Sequence, residues 1–542
     1  MKTFALERKL ARLCAVVEDK SVRSIHRLTD AARNTIRDLF VRTGDDDVEL
    51  RHDHQPVSGS PMPPLEGRRR HGASSVFVRP SMLLCVAATL SGWMGSVQNV
   101  AGTNSASAVA AKDPGPRGAP VSAGGFLPGL TAAQLVEASD GAARFEEPET
   151  FRSGLGPFYN SGSVHACSEC HAQPSAGGTS PSVTAYPFIG ANPQATVDFN
   201  EDGARNIVPP FITADGPVRE MRLDYYHNSD GSLNLKAPDG GVHDLFSVTG
   251  RSDASSCTVA QPNFTQELAL GNAVFRIPTP LYGAGLIENI DDATILANRT
   301  ANATAKAALG ISGQPNRNAN DGTIARFGWK AQNKSLLVFA GEAYNVEVGV
   351  SNEMFPTKRA ATEGTLPAGC KINPTPEDRS NPELAGVAVN SDVTAFAAFA
   401  RLLAPPVRGP SSASTQRGQQ QFTLVGCALC HTPTMTTAKS SEANALSGVQ
   451  ANLFSDLLVH TMGTGLADGV SQGNANGQQF RTAPLWGLGQ RIFFLHDGRT
   501  SDLVDAIEAH SSHGSEANGV IKNFNKLSPS EQQDLLNLLR SL

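Results

Sequence analysis

Apolar and polar positions alternate along this chain in two different rhythms. At Thr131–Phe145 apolar residues recur at helical intervals: Ala132, Leu135, Val136, Ala142 and Ala143, with the small Ser139 on the same stripe. A second helix is predicted where Ser391-Asp392 precedes Val393, Phe396, Ala397, Phe399, Ala400, Leu402 and Leu403; Ser391 caps it and Pro405-Pro406 stops it. Gly418, Phe422 and Gly426 mark one stripe of a third, whose small residues permit close approach of another helix. Ser528-Pro529-Ser530-Glu531 is a capping box with proline at the first helical position. It opens a fourth helix, with Leu535, Leu536, Leu539 and Leu542 along one face. From roughly 173 to 390 the rhythm changes. Helical periodicity is scarce there, Gly, Pro, Asn and Asp recur, and short extended runs such as Ala273–Ile277, halted by Pro278, sit between turn signals.

Length changes this picture little: 542 residues are enough for one or two sizeable cores. The formal charge of −6 argues against nucleic acid as a partner. The N-terminal region says more. No charged residue occurs from Pro80 to Ala111, just after Arg68, Arg69, Arg70 and Arg79. Met82–Leu90 reads as the apolar region of an export signal, and Ala106-Ser107-Ala108 and Ala108-Val109-Ala110 as cleavage candidates. Residues 62–111 are therefore expected to be a signal peptide region, with a periplasmic mature protein whose only tie to the membrane is that signal. A retained N-terminal membrane anchor is the rival; against it, the apolar part is shorter than the ~20 residues a spanning helix needs, and Ser and Gly interrupt it. Residues 1–61, with Arg33, Arg37 and Arg42 followed by Asp45, Asp46 and Asp47, do not fit a signal peptide. Translation is expected to start at Met62 or Met82, making 1–61 a mis-assigned upstream segment. Residues 112–127 form a Gly/Pro/Ala-rich flexible lead-in.

The chemistry lies in two pentapeptides, Cys167-Ser168-Glu169-Cys170-His171 and Cys427-Ala428-Leu429-Cys430-His431. With 8 cysteines and 13 histidines in the chain, chance would produce far fewer than one. Cys-x-x-Cys-His is the attachment pattern of c-type haem: two thiols add to the haem vinyl groups, and the adjacent His ligates the iron. A zinc site needs four converging ligands but not this fifth-position His; a redox dithiol needs a βαβ setting that neither copy has; a disulfide leaves both histidines unexplained. Two covalent haems are the expectation. A short haem-clasping helix is expected over Ala166–Ala172. Cys257 and Cys370, left over in an oxidising compartment, are a possible disulfide or two buried free thiols.

The fold expected is mainly α with extensive loops and two cytochrome c-like haem domains. The N-terminal one covers 128–406, with a large irregular insertion carrying short strands; a linker covers 407–416; the C-terminal one covers 417–542. A Gly/Phe-striped helix before Cys-x-x-Cys-His, with a Leu-faced helix at the end, resembles the small cytochrome c fold.

Several stretches resemble a bacterial di-haem oxidoreductase family labelled "thiol oxidoreductase" or peroxidase, a relative of the di-haem cytochrome c peroxidases and MauG. They are Pro280–Glu288, Arg326–Gln332, Tyr344–Glu347 with Gly349–Glu353, Leu457–Gly463, Phe480–Gly489, Phe494–Arg499 and Ala506–His510. The likeness spans roughly 128–542. It implies that a small redox protein, a cytochrome c or a copper protein, donates electrons to the C-terminal haem, and that they pass to an N-terminal haem that reduces peroxide. Oxidation of an organic substrate and pure electron carriage are the alternatives. The relatives place a distal Met shortly after a His-Asp-Gly-like turn. Here His496-Asp497-Gly498 supplies the turn and His510 occupies about that Met's position, so His431 and His510 are expected to ligate one iron, with Met462 and His460 as rivals. At the first haem an open site is expected, with His227 and His243 as alternative ligands. The relatives use a Glu to move protons; Glu347 and Glu353 are the candidates, each with simple solvation as its alternative. A Trp between the haems relays electrons in the relatives; Trp329 and Trp486 are the candidates, against a plain core role. Arg326 and Lys330 either meet haem propionates or are surface charges. No free dithiol remains to support the thiol-oxidoreductase label.

Overall fold

A computed structural model describes residues 110–118, 123–149, 154, 166–181, 213, 216–238, 263–357, 378–380 and 390–542. The export segment, residues 1–61, His243, Cys257 and Cys370 lie outside the described residues. Among the described residues, no helix is long and apolar enough to cross a membrane.

Two sets of helices carry the two largest apolar cores. The first set is α1 (Ala132–Phe145), α2 (Leu336–Ala343) and α3 (Asp392–Leu402). The second is α4 (Ala413–Val425), α5 (Asn518–Phe524) and α6 (Pro529–Ser541). Their starts follow the capping rules. The Ser391 hydroxyl accepts from the Thr394 N–H at α3, and Ser528 and Glu531 form the reciprocal box at α6. α4 begins inside the expected linker, because Ser412 caps it three residues before Thr415, and ends on Gly426, whose φ of 106° a side chain would resist.

One glycine closes each pair of crossing helices. A Cβ at Gly141 would lie 2.2 Å from the Ala395 carbonyl oxygen, so α1 and α3 touch backbone to backbone there. At Gly418 the same atom would lie 2.1 Å from the Asp534 carbonyl oxygen, where α4 meets α6. On α1 the buried face runs through Ala138, Gly141 and Phe145. The apolar stripe read from the sequence points the other way: Leu135 and Val136 are 42% and 69% exposed. A glycine at the crossing carries no hydrophobic signal, so a periodicity count follows the larger side chains to the wrong side.

The first core gathers Phe145, Leu336, Tyr344, Phe396, Phe399 and Leu402, joined by Leu446, Leu453, Leu457 and Leu458 from the C-terminal third. The second gathers Phe422, Phe454, Phe494, Phe524 and the α6 leucines. Each such side chain fully buried contributes about 1.5–3 kcal/mol. Residues 112–118 are docked onto this second core rather than free as a lead-in: the Asp113 carboxylate pairs with Arg540 at 2.6 Å and accepts the Leu503 N–H at 2.9 Å.

Among the described residues, strands are short and come as four antiparallel two-stranded ribbons. β1 (Glu220–Leu223) pairs with β4 (Ala273–Arg276), setting Glu220 opposite Arg276. β2 (Tyr225–His227) pairs with β3 (Leu233–Pro238). β5 (Met435–Thr436) pairs with β6 (Gln450–Ala451), and β7 (Val459–Thr461) with β8 (Gln479–Arg481). Two of the four therefore lie beyond the second pentapeptide, not only in the insertion where strands were expected. The expected helix over 166–172 is a single turn, Cys167–Cys170.

Candidate functional site

Each Cys-x-x-Cys-His opens on its own cavity. The second motif sits on a 3-10 turn, Cys427–Leu429, launched from the left-handed Gly426 at the end of α4. Its cavity measures about 1430 Å³ counting the mouth, and its walls are largely apolar: Phe422, Leu485, Phe494, Ile507, Val520 and Phe524 among them. Cys427, Cys430, His431, Met462 and His510 all face it. The His431 Nδ1 donates to the Phe454 carbonyl oxygen at 3.0 Å. A carbonyl only accepts, so the proton is fixed on Nδ1 and the Nε2 lone pair is left free. His510 repeats the arrangement, its Nδ1 donating to the Ala506 carbonyl at 2.7 Å. Burial, with His510 close by, pushes His431 down to about 4, and burial lowers His510 as well, so both imidazoles are neutral at pH 7 as metal ligation requires.

His460 is differently held. Its Nε2 is 2.9 Å from Asp456 Oδ2 and its Nδ1 2.8 Å from Glu516 Oε2. Although burial pulls its pKa down, Asp456 and its other neighbours hold it well above the usual histidine value. An imidazolium with both N–H groups donated to carboxylates has no lone pair for a metal. His460 thus drops from the ligand candidates, while Met462 lines the same cavity as His510.

The first motif faces a cavity of about 1090 Å³ of another character. Around Cys167, Cys170 and His171 stand Arg219, Arg222, Arg276, Glu220, Glu342 and Glu347. Among the described residues, His171 Nδ1, Arg219 Nε, Arg222 Nη1 and Arg276 Nε are buried without a hydrogen-bond partner. The His171 Nε2 lies 3.8 Å from Glu347 Oε2. Glu347 stands on a π-helical turn, Tyr344–Val348, that continues α2; such widened turns concentrate at functional sites. Glu353 is exposed and lines neither cavity, because its segment turns outward after the π-helical turn. His227 is on the exposed β2–β3 hairpin, bonded to Glu267 at 2.7 Å, and lines neither cavity.

Trp329 borders both cavities, its indole N–H donated to the Ile277 carbonyl at 2.8 Å. Trp486 is buried in the first core and borders neither of the large cavities. Arg326 and Lys330 are neither surface charges nor cavity walls: Arg326 pairs with Asp292 at 2.6 Å, and the fully buried Lys330 pairs with Asp468 at 2.9 Å. The motif reading did not find Glu342, whose carboxyl burial pushes up and which takes a hydrogen bond from Asn333. It also missed the three cavity arginines. Arg276 was legible in principle, as the lone charge in the apolar strand Ala273–Ile277. His496, singled out only as part of a turn, stacks on Phe480 at 4.3 Å and meets Trp329 edge-on at 6.4 Å.

These surroundings fit a c-type haem at each motif. Both cavities have room for a flat macrocycle, the two thiols of each motif flank a histidine, and buried cationic N–H groups without partners suit its carboxylates.

No curated protein matches the chain. Among solved structures, hydrazine synthase of Kuenenia stuttgartiensis matches at 18% identity with a TM-score of 0.19, over 30% of this chain and 59% of that one. The chain thus spans less than two thirds of that protein's length. A MauG-like protein associated with microbial copper homeostasis matches at 16% identity with a TM-score of 0.24, over 49% of this chain and 90% of that one. At these scores neither likeness bears on what the chain does. The sequence profile of the family described as "Di-haem oxidoreductase, putative peroxidase" matches residues 224–542, well over half of the chain. That stretch takes in the second paired-cysteine motif and its cavity, and the chain belongs to the di-haem oxidoreductase family.

Proposed function

We propose that the protein is an exported, periplasmic di-haem c-type cytochrome that reduces peroxide. Cys167 and Cys170 hold one haem and Cys427 and Cys430 the other, with His171 and His431 as the motif-borne iron ligands and His510 as the second ligand in the C-terminal cavity. Bound there, the C-terminal haem would supply an electron-accepting site for a small cytochrome or copper protein, and the N-terminal one a site at which peroxide could be reduced.

The chain's own residues divide that work. In the C-terminal cavity the carbonyls of Phe454 and Ala506 fix the tautomers of His431 and His510, so two neutral nitrogens face one apolar space. The walls around them are largely apolar; the titratable groups that share the cavity are the His460 imidazolium, locked between its carboxylates, together with Glu516, His496, Arg481 and Arg491. In the N-terminal cavity Glu347 and Glu342 line the same space as His171, and Glu347 would take a proton from incoming peroxide and return it to the departing oxygen. Trp329, bordering both cavities, is the relay between them.

The observation that carries this reading is the contrast between those two linings: paired histidines in an apolar space, and a single histidine facing a carboxylate in a charged one. An absorption spectrum tests it. One high-spin ferric haem that shifts on adding cyanide or peroxide is expected, with turnover of hydrogen peroxide by reduced cytochrome c. Two inert low-spin haems would make the protein an electron carrier instead. Turnover of dioxygen with an organic substrate, and none of peroxide, would make it an oxidase.

A further inference from the structure

Nearly every deeply buried cation described above has a carboxylate against it. Asp468 serves Arg276 and Lys330, Asp113 serves Arg540, and Asp292 serves Arg326. Arg481 and Arg491 are the departure. Among the described residues neither forms an ion pair; Arg481 Nε donates to the Gly328 carbonyl at 3.0 Å, and the Arg491 guanidinium makes no hydrogen bond. Both border the C-terminal cavity and also a smaller one of about 470 Å³, which shares Trp329 with both haem cavities and Thr279 and Gly328 with the N-terminal one.

Two like charges in one dry place are costly. Burial pushes both guanidiniums down to about 10, and Arg491 pushes Arg481 further in the same direction. Leaving a buried charge uncompensated costs several kcal/mol, so a native protein keeps such a pair only where an anion comes to it. A guanidinium fork takes a carboxylate in two parallel hydrogen bonds. If the C-terminal motif carries haem as proposed above, the carboxylates nearest to hand are that haem's own.

We infer that Arg481 and Arg491 form an anion-binding pair that receives the propionate carboxylates of the haem attached at Cys427 and Cys430. Together they orient that haem in its cavity and raise its potential, because a nearby positive charge favours the reduced iron. Both are positioning residues; neither touches peroxide.

The test uses the holoprotein with two haems per chain verified by pyridine haemochrome, so that loss of haem, which would sink the functional reading, is told apart from failure here. Spectroelectrochemical titration follows wild type, Arg491→Met, Arg481→Met and Arg491→Lys. Each methionine variant is expected to make reduction of the low-spin haem about tenfold less favourable, ~59 mV for a one-electron couple. The other haem should not move, and Arg491→Lys should recover most of the difference. Unmoved potentials in both methionine variants, with both haems present, overturn the inference. Wild type titrated with acetate and with phosphate gives a second answer that needs no variant. No saturable change is expected if propionates already occupy the pair; a saturable shift of potential would assign it to a free small anion and overturn the propionate assignment.

Discussion

The two cavities share a plan and differ in what lines them. Each motif histidine meets a phenylalanine of a helix that crosses its partner at one glycine, Phe145 with His171 at 6.1 Å and Phe422 with His431 at 6.5 Å, and each cavity is opened by Cys-x-x-Cys-His on a single turn. In the C-terminal cavity, walls of Leu, Phe, Ile and Val surround two tautomer-fixed histidines. In the N-terminal one three arginines and four glutamates surround one histidine with an unpartnered Nδ1. The two cavities thus offer two kinds of environment, and the difference lies in the side chains that line them. A low-dielectric site with its ligand positions filled favours electron transfer, while a polar site with a facing carboxylate favours proton handling.

The sharpest way to break this contrast is to open the closed site. His510→Ala is expected to turn one of the two haems high-spin while both stay covalently attached; an unchanged low-spin signal would remove His510 and leave Met462 as the ligand. Next comes the carboxylate of the other cavity. Glu347→Gln is expected to lower peroxide turnover by about 10²–10⁴-fold with the resting spectrum retained, whereas Glu353→Gln, out on the surface, should leave it unchanged. If Glu342→Gln has the larger effect, the proton-handling group is Glu342 instead.

Smaller effects sharpen the shared plan. Gly418→Ala and Gly141→Ala each drive a methyl group into a backbone carbonyl, at a cost of about 1–3 kcal/mol or more, readable as comparable falls in thermal midpoint. Unequal falls would mean that the two crossings are not equivalent. The smallest effect concerns the charged rim at the end of β1. Burial, and then Asp468, raise Asp224 from 3.8 to about 7. Between those values the native chain holds a proton that the unfolded chain has released, so this group's contribution to stability falls as pH climbs from 4 to 7. Asp224→Asn should therefore stabilise the protein near pH 7 by about 1 kcal/mol, a figure kept low because the group is only half buried. Its thermal midpoint should lose the corresponding decline across that range.

Much of this frame was legible in the sequence because it rests on local signals. The caps at Ser391 and Ser528 and the leucine face of α6 formed where the sequence put them, whereas Gly426, read as part of a helical stripe, ends its helix instead. The motif cysteines and histidines reached their cavities for the same reason, since five adjacent residues need no tertiary knowledge. What depends on partners distant in sequence was not legible. Asp456 stands four residues before His460, but nothing near His460 foretold that Glu516 would take its other nitrogen, and nothing near Lys330 foretold Asp468. The arginines that line the N-terminal cavity come from β1, β4 and the segment before them, and only the strand pairing of Glu220 with Arg276 brings them together. The face of α1 was misread for a related reason: its contact with α3 is made by a glycine, which hydrophobicity does not register.

The most direct measurement is a pyridine haemochrome assay, with intact mass, on protein matured in a haem-competent bacterial host. Two covalently attached haems per chain are expected, one at each Cys-x-x-Cys-His. A colourless protein, or fewer than two haems per chain, would contradict the claim on which both cavities have been interpreted.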